Sequence, residues 1–148
     1  MNIRKAVLSD VKGIAQVHER EEMWVRSIPN GCVYVAVDEE GTIVGFSSGG
    51  KERTGEYPNY AGELYAIYIL KEYQGNGLGK ALVKPIVKEL QDQQIDSMVV
   101  CVLEENDSRL FYEALGGKKI DTIEVEIGGM MLNELVYGWE QIGALLAE

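Results

Sequence analysis

A glycine-rich segment, residues 73–80, lies between a strand-like run and a helical pattern. Glycine lets the backbone approach a ligand closely, since it has no side chain. The N–H groups in the first turn of a helix have no partner within the helix, and together with the helix dipole they favour an anion. The segment therefore predicts a site for a phosphate or pyrophosphate group.

Two common nucleotide-binding motifs do not fit the spacing of this segment. A Walker A motif needs Ser or Thr after its Gly-Lys pair and a glycine where this chain has Gln74, but Ala81 follows Lys80. The Rossmann pattern Gly-x-Gly-x-x-Gly fails in both registers, because Lys80 and Leu82 occupy the place of its third glycine. Glu104 and Glu105 could still act as its ribose-binding acid, so a dinucleotide-binding oxidoreductase stays open as an alternative.

Hydrophobic periodicity predicts the elements around the segment. Met98 begins a continuously apolar run, which is typical of a strand buried on both faces and parallel to the strand before the crossover helix. Pro85 lies inside that helix and is expected to bend it or loosen a turn. The predicted strands are residues 2–7, 32–37, 42–48, 62–70, 98–103, 118–127 and 131–137, and the predicted helices begin at Ser9 and cover residues 78–90, 106–115 and 139–146. This order predicts an α/β fold with a mixed sheet.

Length and composition limit what kind of protein this is. The 148 residues suit a single domain, residues 1–148. A net charge of −10 argues against a nucleic-acid partner, since phosphate binding needs a concentrated basic surface. No apolar run is long enough to span a membrane, and the first residues lack the apolar stretch of a signal peptide, so a cytoplasmic location is expected. Cys32 and Cys101 lie in apolar runs, where neither a disulfide nor a metal site is expected.

Gln74, Gly77 and Gly79 match the pattern Gln-x-x-Gly-x-Gly. A strand precedes them, an amphipathic helix follows, and farther on come Asn106 and the run RLFYEALG at residues 109–116. In these features, from the first strand to Trp139, the chain resembles the GCN5-related N-acetyltransferases. The resemblance implies that family's fold, a mixed and mostly antiparallel sheet with a central parallel strand pair and flanking helices.

The resemblance also implies an activity, the transfer of an acetyl group from acetyl-CoA to a primary amine by direct attack in a ternary complex, without a metal. The acceptor would be a small-molecule amine or a protein amine, and the terminal hairpin would offer an edge for a homodimer. A non-catalytic acyl-CoA sensor is the alternative. Between the first strand and Cys32 there is room for one helix where the family commonly has two, so the acceptor side is expected to be open.

The site residues follow from the same resemblance. Tyr112 is the candidate donor to the departing thiolate, and Glu63 is the candidate base, with Glu104 in reserve. Burial is expected to keep Cys101 inert. Regular alternation would place Ile67 and Ile69 on the face of Glu63, whereas the family has a bulge on this strand that opens a gap for the cofactor arm. The cofactor-binding candidates are Ile67, Tyr68, Ile69, Gln74, Gly75, Asn76, Gly77, Leu78, Gly79, Lys80, Asn106 and Tyr112.

Overall fold

One sheet contains every strand that the computed structural model describes, over residues 2–10 and 32–146. The strand order is β1-β2-β3-β4-β5-β7-β6. The predicted helix after Ser9 lies outside the described residues, apart from a short 3-10 turn at Leu8–Asp10. The single domain over residues 1–148 stays a prediction. The elements are β1 (Asn2–Lys5), β2 (Cys32–Val37), β3 (Ile43–Lys51), β4 (Gly62–Ile69), α1 (Leu78–Asp92), β5 (Met98–Leu103), α2 (Ser108–Ala114), β6 (Lys118–Ile127) and β7 (Met130–Trp139), with further 3-10 turns at Lys71–Tyr73 and Ile142–Leu146.

The sheet is antiparallel except at its centre. Strands β1 to β4 pair antiparallel in succession, β4 pairs parallel with β5, and β5, β7 and β6 again pair antiparallel. The α1 crossover connects the two parallel strands, as a parallel connection requires. The predicted α/β fold with a central parallel pair is therefore confirmed. Of the helices in the described part of the chain, none is long and apolar enough to cross a bilayer.

Helix α1 covers one face of the sheet with an apolar stripe. Leu82, Ile86 and Leu90 are fully buried on it. The helix continues through Pro85, which cannot donate a backbone hydrogen bond. Beside this interruption the buried hydroxyl of Ser47, on β3, donates to the Leu82 carbonyl over 2.8 Å. The sheet thus supplies a hydrogen bond at the turn that proline weakens.

An ion pair holds the chain as it leaves β1. The Arg4 guanidinium donates to both carboxylate oxygens of Asp10 over 2.8 Å, and the Val7 N–H donates to Oδ2 over 2.8 Å. These hydrogen bonds, chiefly those from Arg4, hold the pKa of Asp10 below its usual range. Because the folded state favours the ionised carboxylate, its contribution to stability is present above the unfolded pKa and is lost as the pH falls.

We expect Asp10→Asn to lower the free energy of unfolding at pH 7 by about 1 kcal/mol, because Arg4 is partly exposed and the pair is screened by solvent. The difference from wild type should shrink below about pH 4, where the carboxyl of the unfolded chain takes up its proton. Urea unfolding across this pH range measures it, with Glu39→Gln in an exposed turn as the control. A difference that did not change with pH would show that Asp10 acts through packing alone.

Candidate active site

Strands β4 and β5 separate halfway along their length. Their parallel pairing covers only Gly62 to Leu64 of β4, although β4 continues to Ile69. At the same point the β4 register against β3 shifts, since Ser48 pairs with Ala66 and Gly49 with Leu64. Tyr65 is therefore the extra residue of a bulge. The bulge and the gap implied by the family resemblance are both confirmed.

The bulge also reverses which side chains share a face of β4. Leu64 and Ile67 contact the same core cluster beneath α1, while Ala66 packs in a cluster on the opposite face. The expected placement of Ile67 and Ile69 on the face of Glu63 is therefore wrong, because the inserted Tyr65 shifts the alternation by one residue.

The glycine-rich segment forms a turn that leads into α1. Gly75 and Gly77 have φ angles of +83° and +84°, in the left-handed region that favours glycine, and Gly77 is the N-cap of α1. The space next to both α-carbons is open, since an added Cβ would meet nothing within 4 Å. The first N–H groups of α1 have no partner within the helix. At the start of the turn, the Gln74 side-chain amide donates to the Ile69 carbonyl over 3.0 Å and ties the turn to the end of β4.

A cleft of about 490 Å³ joins this turn to the gap beside β4. Nine of the predicted cofactor-binding residues line it. Asn76 and the buried Leu78 do not, nor do Tyr112 and Glu63. The lining residues are Ile67, Tyr68, Ile69, Gln74, Gly75, Gly77, Gly79, Lys80, Asn106, Asp107, Ser108 and Phe111.

Three lining residues were missed from the sequence: Asp107, Ser108 and Phe111, all at or near the start of α2. Phe111 reaches the cleft because α1 and α2 approach closely there, and a Cβ on Gly79 would lie 3.0 Å from its ring. Asn106 has two structural roles. It lines the cleft, and its side-chain oxygen accepts a hydrogen bond from the Ser108 N–H over 2.8 Å at the start of α2. The sequence signals for them were the position of Asn106 next to Asp107 and Ser108, and the run at residues 109–116, which includes Phe111.

Tyr112 lies in the core behind Phe111, with ring centroids 5.5 Å apart. Tyr137 and Trp139 also contact its ring, at 6.5 and 6.4 Å. Burial raises the pKa of Tyr112 to about 12, so the phenol stays protonated at neutral pH. Its hydroxyl has no hydrogen-bond partner among the residues that the structure describes. Because a buried hydroxyl without a partner costs free energy, it is suited to donate to an acceptor on a ligand.

Glu63 lies on the other face of β4 and is almost fully buried. Three donors of Arg53 hold its carboxylate: the backbone N–H over 3.1 Å, Nε over 3.3 Å and Nη2 over 2.8 Å. The Arg53 guanidinium also stacks on the Tyr65 ring, 4.4 Å from its centroid. The carboxylate is thus fixed next to the bulge. The reserve candidate, Glu104, instead accepts a hydrogen bond from Asn133 over 3.3 Å at the end of β5.

Cys101 lies on β5 one residue past the last parallel pair, Leu64 with Val100. Burial is the main cause that raises its pKa, to about 11, and negative side chains including Glu134 and Glu63 add to the effect. The thiol is therefore protonated at neutral pH, as its apolar sequence surroundings predict. Across the described ranges, no cluster of three or more His, Cys, Asp and Glu side chains could hold a metal ion.

One end of the cleft is suited to the phosphate groups of a ligand. Its turn has open space beside two left-handed glycines, the free N–H groups of a helix start and the Lys80 side chain, all suited to an anion. The far end of the cleft lies along the part of β4 that pairs with β3 but not with β5, and the backbone groups on the β5 side can bond an extended amide chain. Tyr112 does not line the cleft but contacts the lining residue Phe111.

Comparison with known proteins agrees with this geometry. A model of the FR47-like protein family matches residues 44–125. The chain is 36% identical to the uncharacterized N-acetyltransferase YuaI of Bacillus subtilis (strain 168), over 168 aligned positions that cover 98% of this chain and 96% of that protein. It is 37% identical over 96 residues to the mycothiol acetyltransferase of Paenarthrobacter aurescens (strain TC1), covering 64% of this chain and 29% of that enzyme.

The fold matches that of yncA from Salmonella typhimurium, a structure solved with its cofactor acetyl-CoA. The TM-score is 0.76 at 20% identity, and the match covers 100% of this chain and 95% of that one. Fold and relatives together define an acyltransferase. The chain belongs to the GCN5-related N-acetyltransferase family, which confirms the resemblance seen in its motifs.

Proposed function

We propose that this enzyme transfers the acetyl group of acetyl-CoA to the primary amine of a small-molecule acceptor, by direct attack in a ternary complex. The observation that carries the proposal is that the glycine-rich turn and the gap between β4 and β5 open into the same cleft. Acetyl-CoA, when bound, supplies a thioester as the acyl donor. The relatives' names and the acetyl-CoA in the Salmonella structure support this choice of donor.

Different cofactor-binding residues would contact different parts of acetyl-CoA along the cleft. The backbone N–H groups of residues 75–80 would bind the pyrophosphate, with Lys80 adding a positive charge. The backbone of Ile67, Tyr68 and Ile69 would bond the amides of the cofactor arm, because no strand pairs with this side of β4 in the described ladder. Asn106, at the opposite wall, would hold the same arm.

Glu63 is the proposed base. An amine is mostly protonated at neutral pH, so it must lose a proton before it can attack. The Glu63 carboxylate can accept that proton directly or through a water molecule, and its hydrogen bonds to Arg53 keep it oriented next to the gap. Arg53 is thus a positioning residue for Glu63.

Tyr112 is the proposed donor to the departing thiolate. Its phenol is protonated at neutral pH, and its hydroxyl lacks a partner within the described residues, so it is free to donate. Cys101 supports direct attack over an acyl-enzyme route, since a thiol with a pKa of about 11 is a poor nucleophile at neutral pH. The proposed mechanism therefore has no covalent acyl-enzyme intermediate.

The acceptor is proposed to be a small cationic amine. The net charge of −10 produces a field that attracts cations, which supports this choice over an anionic acceptor. The mycothiol acetyltransferase among the relatives is named for a small-molecule substrate. A protein amine is the second candidate acceptor, and a cytoplasmic location accords with either.

The test is to incubate the protein with acetyl-CoA and a panel of polyamines, amino acids, aminoglycosides and a lysine peptide, following thiol release and the mass of each product. We expect at least one amine to gain an acetyl group without acetylated protein appearing in intact-mass spectra. A burst of acylated enzyme would contradict direct attack. Acetyl-CoA binding without transfer to any amine would favour the non-catalytic sensor.

Glu63→Gln should lower kcat by about tenfold to a hundredfold with the accepted amine, because glutamine keeps the size but cannot take up a proton. The Kd for acetyl-CoA should not change, since Glu63 lies outside the cleft. Steady-state rates against pH measure the effect, and the loss should be smaller at high pH, where the amine is already neutral. Glu104→Gln is the matched control. Full activity in Glu63→Gln with a loss in Glu104→Gln would move the base to Glu104.

A further inference from the structure

The glycine-rich turn contains an Asn-Gly pair, Asn76 and Gly77. In such a pair the backbone nitrogen of the glycine can attack the side-chain amide of the asparagine, because glycine has no side chain to block the approach. Asparagine is for this reason among the thermally labile residues of proteins. The sequence has one other such pair, residues 30–31, which lies outside the described residues. The turn proposed to bind pyrophosphate is therefore a candidate for spontaneous chemical change.

The structure leaves both reacting groups of this pair free. Asn76 and Gly77 are exposed, and a Cβ added to Gly77 would meet nothing within 4 Å. Within the described residues, the Asn76 side chain makes no hydrogen bond and the Gly77 N–H donates to no acceptor. Gly77 is the N-cap of α1, so the peptide that joins it to Asn76 lies outside the regular helix.

The other asparagines in the described part of the chain are less suited to this reaction. Asn106 and Asn133 each make a hydrogen bond through the side chain. Asn2 lies in β1, where pairing with β2 fixes the backbone. Asn59 is exposed, but the bulky Tyr60 follows it. Asn76 alone among them combines a free side chain with a glycine as its successor.

We propose that Asn76 is a site of spontaneous deamidation, which inactivates ligand-free enzyme and from which bound acetyl-CoA protects it. The Gly77 backbone nitrogen attacks Cγ of Asn76, and the new N–Cγ bond closes a succinimide ring. The Cγ–Nδ2 bond breaks, and ammonia leaves with the proton from the Gly77 nitrogen. Water then opens either C–N bond of the ring. One opening gives aspartate, and the other gives iso-aspartate, in which the main chain runs through the former side chain.

Both products disturb the turn that is proposed to bind pyrophosphate. Aspartate is ionised at neutral pH, so it adds a negative charge between Gly75 and Gly77, which both line the cleft. Iso-aspartate adds the same charge and also lengthens the backbone by one methylene group, which displaces the N–H groups that favour an anion. The loss of activity thus rests on the proposed function, whereas the deamidation itself does not.

Bound acetyl-CoA would slow the reaction. When the pyrophosphate accepts hydrogen bonds from the backbone of residues 75–80, the Gly77 nitrogen is held in place and cannot approach Cγ of Asn76. The reaction then proceeds mainly from ligand-free molecules. Acetyl-CoA at about a hundred times its Kd leaves about 1% of the protein free, so the loss of Asn76 should slow by at least about tenfold.

The test is to incubate wild type at mildly alkaline pH with and without acetyl-CoA. Peptide mapping by mass spectrometry, with chromatographic separation of aspartate and iso-aspartate, follows each asparagine. Without ligand, Asn76 should be lost well before Asn59. Acetyl-CoA should slow the loss of Asn76 more than that of Asn30, which is also followed by glycine and serves as the internal reference.

Two variants test the consequence for binding. Asn76→Asp reproduces one product and should raise the Kd for acetyl-CoA by at least about tenfold in calorimetry. Asn59→Asp makes the same charge change in the exposed β3–β4 loop and should bind as wild type does. Asn76→Gln is the control for ageing: its longer side chain closes the ring far more slowly, so its affinity should not decline during the incubation.

Each part of the proposal can be contradicted separately. Loss of Asn76 no faster than that of Asn59 in ligand-free protein would overturn the modification site. A wild-type Kd in Asn76→Asp would overturn the inactivation, and equal slowing of Asn30 and Asn76 would overturn the protection. If fresh wild type with intact Asn76 bound no acetyl-CoA, the proposed function would fail instead, while the ligand-free maps would still decide whether Asn76 deamidates.

Discussion

Gly77→Glu should abolish measurable binding of acetyl-CoA in a calorimetric titration that saturates with wild type. The new carboxylate would lie at the N-cap of α1, in the open space where the pyrophosphate is proposed to bind. Two like charges about 4 Å apart near a protein surface repel by about 4 kcal/mol, which corresponds to about a thousandfold in Kd. NADH and ATP, titrated in parallel, should show no saturable binding.

Gly41→Glu is a closely matched control for this variant. Gly41 has a φ of +83°, its α-carbon also faces open space, and it lies in the turn between β2 and β3. Both substitutions therefore carry a similar backbone strain of about 1–2 kcal/mol. Only Gly77→Glu should lose acetyl-CoA. If Gly77→Glu bound acetyl-CoA as wild type does, the phosphate-binding assignment of the turn would be wrong, and binding of NADH instead would revive the dinucleotide alternative.

Tyr112→Phe should lower kcat by about a hundredfold and leave the Kd for acetyl-CoA unchanged. Phenylalanine keeps the ring contacts with Phe111, Tyr137 and Trp139 but cannot donate a proton to the thiolate. Because the hydroxyl has no partner in the described part of the chain, the melting temperature should stay the same or rise slightly. Single-turnover rates, binding by calorimetry and thermal unfolding separate these effects.

Tyr137→Phe is a matched control, since its hydroxyl already donates to the Glu113 carboxylate and it lies one ring farther from the cleft. It should lose some stability and keep its rate. A Tyr112→Phe enzyme with the wild-type kcat would show that this tyrosine serves only packing. If Tyr112 protonates the thiolate, the loss of kcat in Tyr112→Phe should be smaller with an acetyl donor whose thiol has a lower pKa, because such a thiolate leaves without a proton.

Local signals in the sequence were sufficient to predict most of the strands and helices and their order along the chain. Alternating and helical patterns predicted the strands and α1 to within a few residues, and glycines marked the turns at Gly41 and Gly116. The pattern of Gln74, Gly77 and Gly79, together with the strand before it, the helix after it and the run at residues 109–116, was sufficient to identify the family. These signals lie in short segments, where backbone preference and periodicity act directly.

Contacts between distant segments were decided by tertiary packing. The residues around Tyr65 do not interrupt the alternation of β4, and only the pairing of β4 with β3 makes Tyr65 a bulge and turns Ile67 toward the core. Arg53 meets Glu63 because β3 and β4 are antiparallel neighbours, and Phe111 enters the cleft because Gly79 lets α2 approach α1. Such contacts join residues that no short window of sequence contains, so they arise only once the sheet is assembled and its helices pack on it.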